Sequence, residues 1–264
     1  YKSAALVENN YKKFFDLEED KSGDKPLDTI KSIEFKAVHF TYPNSDKEVL
    51  SGLSFKLDQG SYGLVGENGS GKSTITKLMM GLYEVTCGQI LINGFDIHSY
   101  KKSDLKDAMA VVFQSSHHYP ASLKENLDFK GDLKIDEDLA EAMGIDEIIS
   151  SLPKGIDTDL SAISKDAVSM SGGQWQRLGI MRALNRDASL YILDEPNALL
   201  DPISEAKMYG KYLEILDGKI SLLISHRLGA TKQMDEIIVL KDGKIYAKGS
   251  HEDLMKRPYY RDLY

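Results

Sequence analysis

Apolar positions recur among more polar neighbours at Ile33, Phe35, Val38 and Phe40, a pattern that predicts a half-buried strand. A polar turn separates it from Leu50-Ser51-Gly52-Leu53-Ser54-Phe55-Lys56-Leu57, and the two runs are expected to pair. Tyr62-Gly63-Leu64-Val65 then reads as a short buried strand, followed by a helix over Ser73-Thr74-Ile75-Thr76-Lys77-Leu78-Met79-Met80 that Gly81 closes. Gly88-Gln89-Ile90-Leu91-Ile92-Asn93-Gly94 is a strand with turns at both ends, and Met109-Ala110-Val111-Val112-Phe113 is a buried strand ending at Gln114. From about 115 to 170 the alternation gives way to helical patches, Leu123–Leu127 and Asp138–Met143, which predict an inserted helical subdomain. A helix opens at Ser171-Gly172-Gly173-Gln174-Trp175-Gln176-Arg177 and runs through Leu178, Ile180, Met181, Ala183 and Leu184. Leu190-Tyr191-Ile192-Leu193 and Ser221-Leu222-Leu223-Ile224 are two more buried strands. Ahead of all this, Leu6, Val7, Phe14, Phe15 and Leu17 fall at roughly helical spacing, and Lys21-Ser22-Gly23-Asp24-Lys25-Pro26 reads as a linker. Strands separated by helices make this an α/β chain.

The chemistry collects where strands end. Gly66-Glu67-Asn68-Gly69-Ser70-Gly71-Lys72-Ser73 matches G-x-x-x-x-G-K-[ST] in its required context, between a strand and a helix. Glycines at 66, 69 and 71 let successive backbone N–H groups turn inward, and the helix N-terminus adds its partial positive charge. A polyphosphate fits such a cradle. Lys72 can reach its β- and γ-phosphates, and the Ser73 hydroxyl can ligate Mg²⁺. Tyr42, before Pro43 at the end of the first strand, is a candidate to stack on a base, while Gln114 can reach the metal or its water. Ser171-Gly172-Gly173 at a helix start is a second anion site by the same physics. Asp194 is suited to hold hydrated Mg²⁺, and Glu195 to orient or deprotonate an attacking water. His226 ends its strand where it can contact a γ-phosphate. His117-His118 is set aside as a metal pair, because neighbouring helical positions diverge and no third ligand lies near.

Length and charge narrow the class. The 264 residues, 42% of them hydrophobic, suffice for one large α/β domain or a core domain with a subdomain. Net charge of −8 and a pI near 5.3 argue against a nucleic-acid partner, whose phosphates call for concentrated Lys and Arg. A single cysteine, Cys87, excludes an internal disulfide and suits a reducing compartment. No stretch approaches the length of a membrane span and no signal peptide opens the chain, so this polypeptide is expected to be soluble by itself. Its first residue is Tyr1 and not Met, as in a piece of something longer.

Taken together, these motifs resemble the nucleotide-binding domain of ATP-binding cassette (ABC) transporters over residues 32 to 264. The resemblance implies the ABC ATPase variant of the P-loop NTPase fold, with a mixed core sheet, an antiparallel β subdomain and an inserted α-helical subdomain at about 115–170. It implies an ATPase domain over 31–264 and a linker from a transmembrane domain over 1–30. It makes Tyr42 the adenine-stacking aromatic, Gly66, Glu67, Asn68, Gly69, Ser70, Gly71, Lys72, Ser73 and Thr74 the phosphate loop, and Gln114 the link between nucleotide and membrane domain. Ser171, Gly172, Gly173 and Gln174 become the signature sequence, which with Asp201 serves the ATP of the opposing subunit. Asp194 and Glu195 become the metal-positioning and catalytic carboxylates, and His226 the switch histidine. The implied cofactors are ATP and Mg²⁺. The implied partners are a second, identical or unlike, ABC ATPase domain and a transmembrane domain, at the cytoplasmic face of the cell membrane.

Gly81-Leu82-Tyr83 through Gly94, and Ser122-Leu123-Lys124-Glu125-Asn126-Leu127, are similar to exporters whose membrane helices precede the ATPase on one chain. Gln174-Trp175-Gln176 is similar to bacterial exporters of peptides or lantibiotics. There are departures as well. Met170 stands where the family has leucine, and Asn197-Ala198-Leu199-Leu200 alters the loop before Asp201. Ser164-Lys165-Asp166-Ala167 lacks the Glu-Arg-Gly of many exporters. The competing functions are a non-transport ABC ATPase and an ATP-binding regulatory cassette with little turnover. Lys72, Glu195 and His226 argue against the latter.

Overall fold

The computed structural model describes residues 22–114, 118–127, 137–161, 168–196, 202–225 and 228–263. The helix expected near Leu6–Leu17, His117, and the segments 164–167 and 197–201 lie outside the described residues. In chain order the elements are β1 Ile33–Thr41, β2 Glu48–Leu57, β3 Gly60–Gly66, α1 Lys72–Met79, β4 Cys87–Ile92, β5 Phe95–Asp96, α2 Lys102–Asp107 and β6 Met109–Val112. The helical part follows with α3 Leu123–Leu127, α4 Glu137–Ala142, α5 Ile145–Ser151 and α6 Gly172–Leu184. The chain then continues through β7 Leu190–Asp194, α7 Pro202–Ile215, β8 Ile220–Ile224, α8 Leu228–Thr231, β9 Glu236–Lys241, β10 Lys244–Gly249, α9 His251–Leu254 and α10 Pro258–Asp262.

Two sheets result. The smaller runs β2-β1-β4-β5 and is antiparallel throughout. Its inward residues fall at 33, 35, 38 and 40, and strict alternation would turn the second pair outward. The break is absorbed at Ala37, which adopts φ 44 where the register shifts, so all four side chains still face the core. Gly88 on β4 lies against that bulge, where a Cβ would sit 2.3 Å from the Ala37 carbonyl oxygen. The larger sheet runs β10-β9-β3-β8-β7-β6, parallel except for the β9–β10 hairpin. β7 and β8 are almost wholly buried, which is why they read as unbroken apolar runs. This mixed sheet, the antiparallel subdomain and the helical insertion agree with the fold class expected from the motifs.

The core follows the same division. β1 to β4 and α1 share one cluster, in which Ile75, Leu78 and Met79 of α1 have no exposed surface. Each contributes about 1.5–3 kcal/mol by burial, and α1 is too short to persist without it. A second cluster joins Leu123, Leu127, Leu139 and Ile148 of the helical part to Trp175, Leu178 and Met181 of α6. Residues at the end of the stretch expected as a linker lie on the domain: the Lys25 N–H donates to the Ser99 carbonyl at 3.0 Å, and the Ile30 N–H reaches the Ser189 hydroxyl at 2.8 Å. No element is expected from the sequence beyond His226, yet β9 and β10 form a hairpin. Its two-residue loop is Asp242-Gly243, with φ 48 and 71, a turn signal present in the sequence.

Candidate functional site

Because β3, β8, β7 and β6 are parallel neighbours, their carboxyl ends leave the sheet at one edge. Leu64 pairs with Ile224, Ile224 with Asp194, and Leu193 with Val112, so the ends are level. The Gly66 loop, Ser225, Asp194-Glu195 and Gln114 therefore emerge side by side, as a ligand crevice in an open α/β sheet requires. His226 and Asp201 lie outside the described residues.

Gly66, Gly69 and Gly71 have φ 157, 80 and 107, and α1 starts at Lys72 with Gly71 as its cap. At Gly66 the restriction is steric, since a Cβ would lie 2.3 Å from the Leu240 carbonyl oxygen of β9 and 2.8 Å from Ser70 Oγ. Gly66→Ala is expected to destabilise the domain by about 1–3 kcal/mol, the range for overpacking against groups that do not yield. Denaturant unfolding checks this, and an unchanged midpoint would refute it. Ser70 Oγ is buried and finds no hydrogen-bond partner among the described residues. An orphaned hydroxyl in such a loop suits a phosphate oxygen. Lys72 Nζ donates to the carbonyls of Gly66 at 2.8 Å and Glu67 at 2.9 Å. Burial pushes its pKa down, while Glu195 and Asp194 pull it up. The cradle's cation and both carboxylates of β7 thus share one electrostatic environment.

Asp194 is held above the usual carboxylate range by burial first and by Glu195 second; Lys72 and a hydrogen bond from Ser73 oppose the shift. Ser73 and Asp194 together offer hard oxygen atoms of the kind Mg²⁺ takes. Among the described residues no group of three His, Cys, Asp or Glu is placed to hold a metal. Glu195, directly after β7, adopts a left-handed conformation, φ 48, which costs about 1–3 kcal/mol and persists only when neighbours hold it. Its N–H donates to the Ile224 carbonyl at 2.9 Å. The Gln176 amide of α6 donates to its carbonyl oxygen at 3.2 Å. Gln114 Nε2 donates to its carboxylate at 2.7 Å, which puts Gln114 on the acid and not directly on Ser73. Gln176 has no role among the residues expected from the sequence; the available signal is a polar residue between apolar ones early in α6.

Tyr42 stands over α1. Its hydroxyl is hydrogen-bonded to that of Thr74 at 3.0 Å, and its half-buried ring meets Phe40 and Tyr83 edge-on. The Lys77 ammonium lies 5.3 Å from the ring centre. The ring is thereby fixed at the rim of the loop.

Ser171, Gly172, Gly173 and Gln174 lie at the start of α6, ahead of the Gln176 that reaches Glu195. They open α6 on the helical cluster and, among the described residues, share no hydrogen bond with the cradle. The Ser171 hydroxyl accepts from the Gln174 N–H at 3.3 Å, and Gln174 Oε1 accepts from the Ser171 N–H at 2.8 Å. This reciprocal cap leaves the Gly172 and Gly173 N–H groups outside the helical ladder. Both Ser171 and Gly172 are exposed. A groove of about 700 Å³ borders them, lined also by Glu147, Ser151 and Arg177.

The family described as ABC transporter matches residues 50–198, more than half of the chain. A subtilin transport ATP-binding protein of Bacillus subtilis is 38% identical over 98% of this chain and 44% of its own length. An ATP-dependent lipid A-core flippase of Photobacterium profundum is 37% identical over 91% of this chain and 42% of its own. A bacterial Atm1-family ABC exporter solved with ATP bound superposes with a TM-score of 0.86 at 28% identity, covering 99% of this chain and 47% of that one. The chain thus spans less than half the length of these relatives.

Proposed function

The chain belongs to the ABC transporter family, and from that premise we propose that it is the ATP-binding and ATP-hydrolysing domain of an exporter. The observation that carries this reading is the gathering of Lys72, Ser73, Asp194, Glu195 and Gln114 at one sheet edge, while the Ser171 tip stays exposed elsewhere. Lys72 exchanges its loop carbonyls for the β- and γ-phosphates, the loop N–H groups and Ser70 cradle the phosphate oxygens, and Tyr42 stacks on the adenine. Ser73 and Asp194 would hold a hydrated Mg²⁺, which when bound would supply positive charge against the transferring phosphate. Glu195 takes the proton of the attacking water, and Gln114 orients its carboxylate. His226 contacts the γ-phosphate.

The Ser171 tip serves the ATP of a second copy or a related cassette. Its hydroxyl accepts from Gln174 and so keeps its own proton for a phosphate oxygen, beside the two glycine N–H groups. Asp201 belongs to the same shared interface. Residues 31–264 form the ATPase domain and residues 1–30 lead from a transmembrane domain, which places the cassette at the cytoplasmic face of the membrane. No described helix is long and apolar enough to cross a membrane. Likeness to the subtilin transport protein and the Gln174-Trp175-Gln176 stretch support a peptide cargo.

Ser171→Arg tests the shared site. The long side chain blocks closure over the opposing phosphate, so ATP still binds while hydrolysis and ATP-dependent dimer formation are lost. Phosphate release together with size-exclusion chromatography in ATP reads both. Normal turnover in this variant would sink the head-to-tail arrangement.

A further inference from the structure

Gln176 is a polar side chain of α6 on the side that also carries the buried Ile180 and Ala183, four and seven residues on. It is only 4% exposed. A buried amide is costly unless it is hydrogen-bonded, and this one donates to the Glu195 carbonyl oxygen. That carbonyl belongs to the one residue at the end of β7 whose backbone turns left-handed. From the other side the Glu195 N–H is held by Ile224 of β8. Glu195 is therefore gripped between the sheet and the helix that begins at the Ser171 tip.

The same helix also carries the chain that follows Gln114. The Trp175 ring stacks on His118, with centroids 4.2 Å apart and an interplanar angle of 15°. The Arg182 guanidinium lies 4.7 Å from the Tyr119 ring centre. Gln114 in turn holds the Glu195 carboxylate. One helix thus touches the acid's backbone directly and neighbours the segment that leads from its carboxylate partner.

We propose that Gln176 is a positioning residue for ATP hydrolysis: it holds the left-handed turn that aims the Glu195 carboxylate, and so ties the aim of the base to the placement of the signature helix. This rests on the ATPase reading above. Gln176 acts through the Glu195 backbone to which it donates, so its loss slows the chemical step and leaves nucleotide binding alone.

The test compares Gln176→Leu and Gln176→Met in the parent chain and in Glu195→Gln, by single-turnover and steady-state hydrolysis of Mg-ATP, KM for ATP and thermal unfolding. The methionine variant keeps the length and unbranched shape of the side chain and removes its donor, so it carries the test even where the leucine variant fails to fold. The turnover rate is expected to fall about 10²-fold, the scale of a misplaced reacting group, with KM within about twofold. In Glu195→Gln the same changes should add no further loss, because the base they aim is already gone. Unchanged turnover in the folded variants, or the same fractional loss in both backgrounds, overturns the proposal. Glu195→Gln alone reports on the ATPase reading, so a fast Gln176 variant beside a slow Glu195→Gln variant counts against this inference only.

Discussion

Replacing Glu195 by glutamine slows ATP hydrolysis by at least about 10²-fold, the scale on which a positioned proton acceptor acts, while ATP binding survives. The amide has the size and shape of the acid, so the turn at φ 48 and the bond from its N–H to Ile224 remain. Gln114, 2.7 Å from the carboxylate, still finds an oxygen to donate to. What vanishes is the basicity that takes a proton from water. With binding intact and hydrolysis stalled, two chains closed around ATP have no route to reopen. Size-exclusion chromatography in ATP should therefore show a dimer where the parent chain, turning over, shows less. A monomer with parental phosphate release would remove Glu195 from the mechanism.

Lys72→Ala acts on binding and chemistry together. The ammonium is the cation closest to the loop, bonded to the carbonyls of Gly66 and Glu67, and it offsets Asp194 and Glu195 nearby. Without it the loop keeps its N–H groups, but two carboxylates face a polyphosphate with one positive charge fewer. ATP affinity is expected to fall about 10- to 100-fold, matching the ~1.5–3 kcal/mol of a hydrogen bond to a charged group, and hydrolysis is expected to be abolished. The fold should persist, since α1 is held by Ile75, Leu78 and Met79 and not by the lysine. Titration with a fluorescent nucleotide and a phosphate-release assay measure the two effects. Unchanged turnover would take the cradle out of the reaction.

Much of the architecture was legible in the residues themselves. The strands around Ile33–Phe40, Tyr62–Val65 and Leu190–Leu193 and the helices after Gly71 and Ser171 match β1, β3, β7, α1 and α6. Their signals are local: a period of two or of 3.6, an unbroken apolar run, glycines where the backbone turns, a serine where a helix begins. The same locality made the phosphate loop readable, because its shape depends on contiguous residues. The Asp242-Gly243 hairpin carried such a signal and went unassigned. Other features have none. The phase shift at Ala37 becomes visible only when β1 lies between β2 and β4. Gln114 and Glu195 are 81 residues apart, and nothing in either stretch says that one amide meets the other's carboxylate. Gln176 of α6 reaches Glu195 just beyond β7, and Tyr42 just beyond β1 is steadied by Thr74 of α1 and by Tyr83, contacts made only once distant segments pack. The sequence alone thus determined which groups are present and what chemistry each can perform. Tertiary packing decided which of them meet and how the acid is aimed, since those contacts depend on how distant segments fill a shared space.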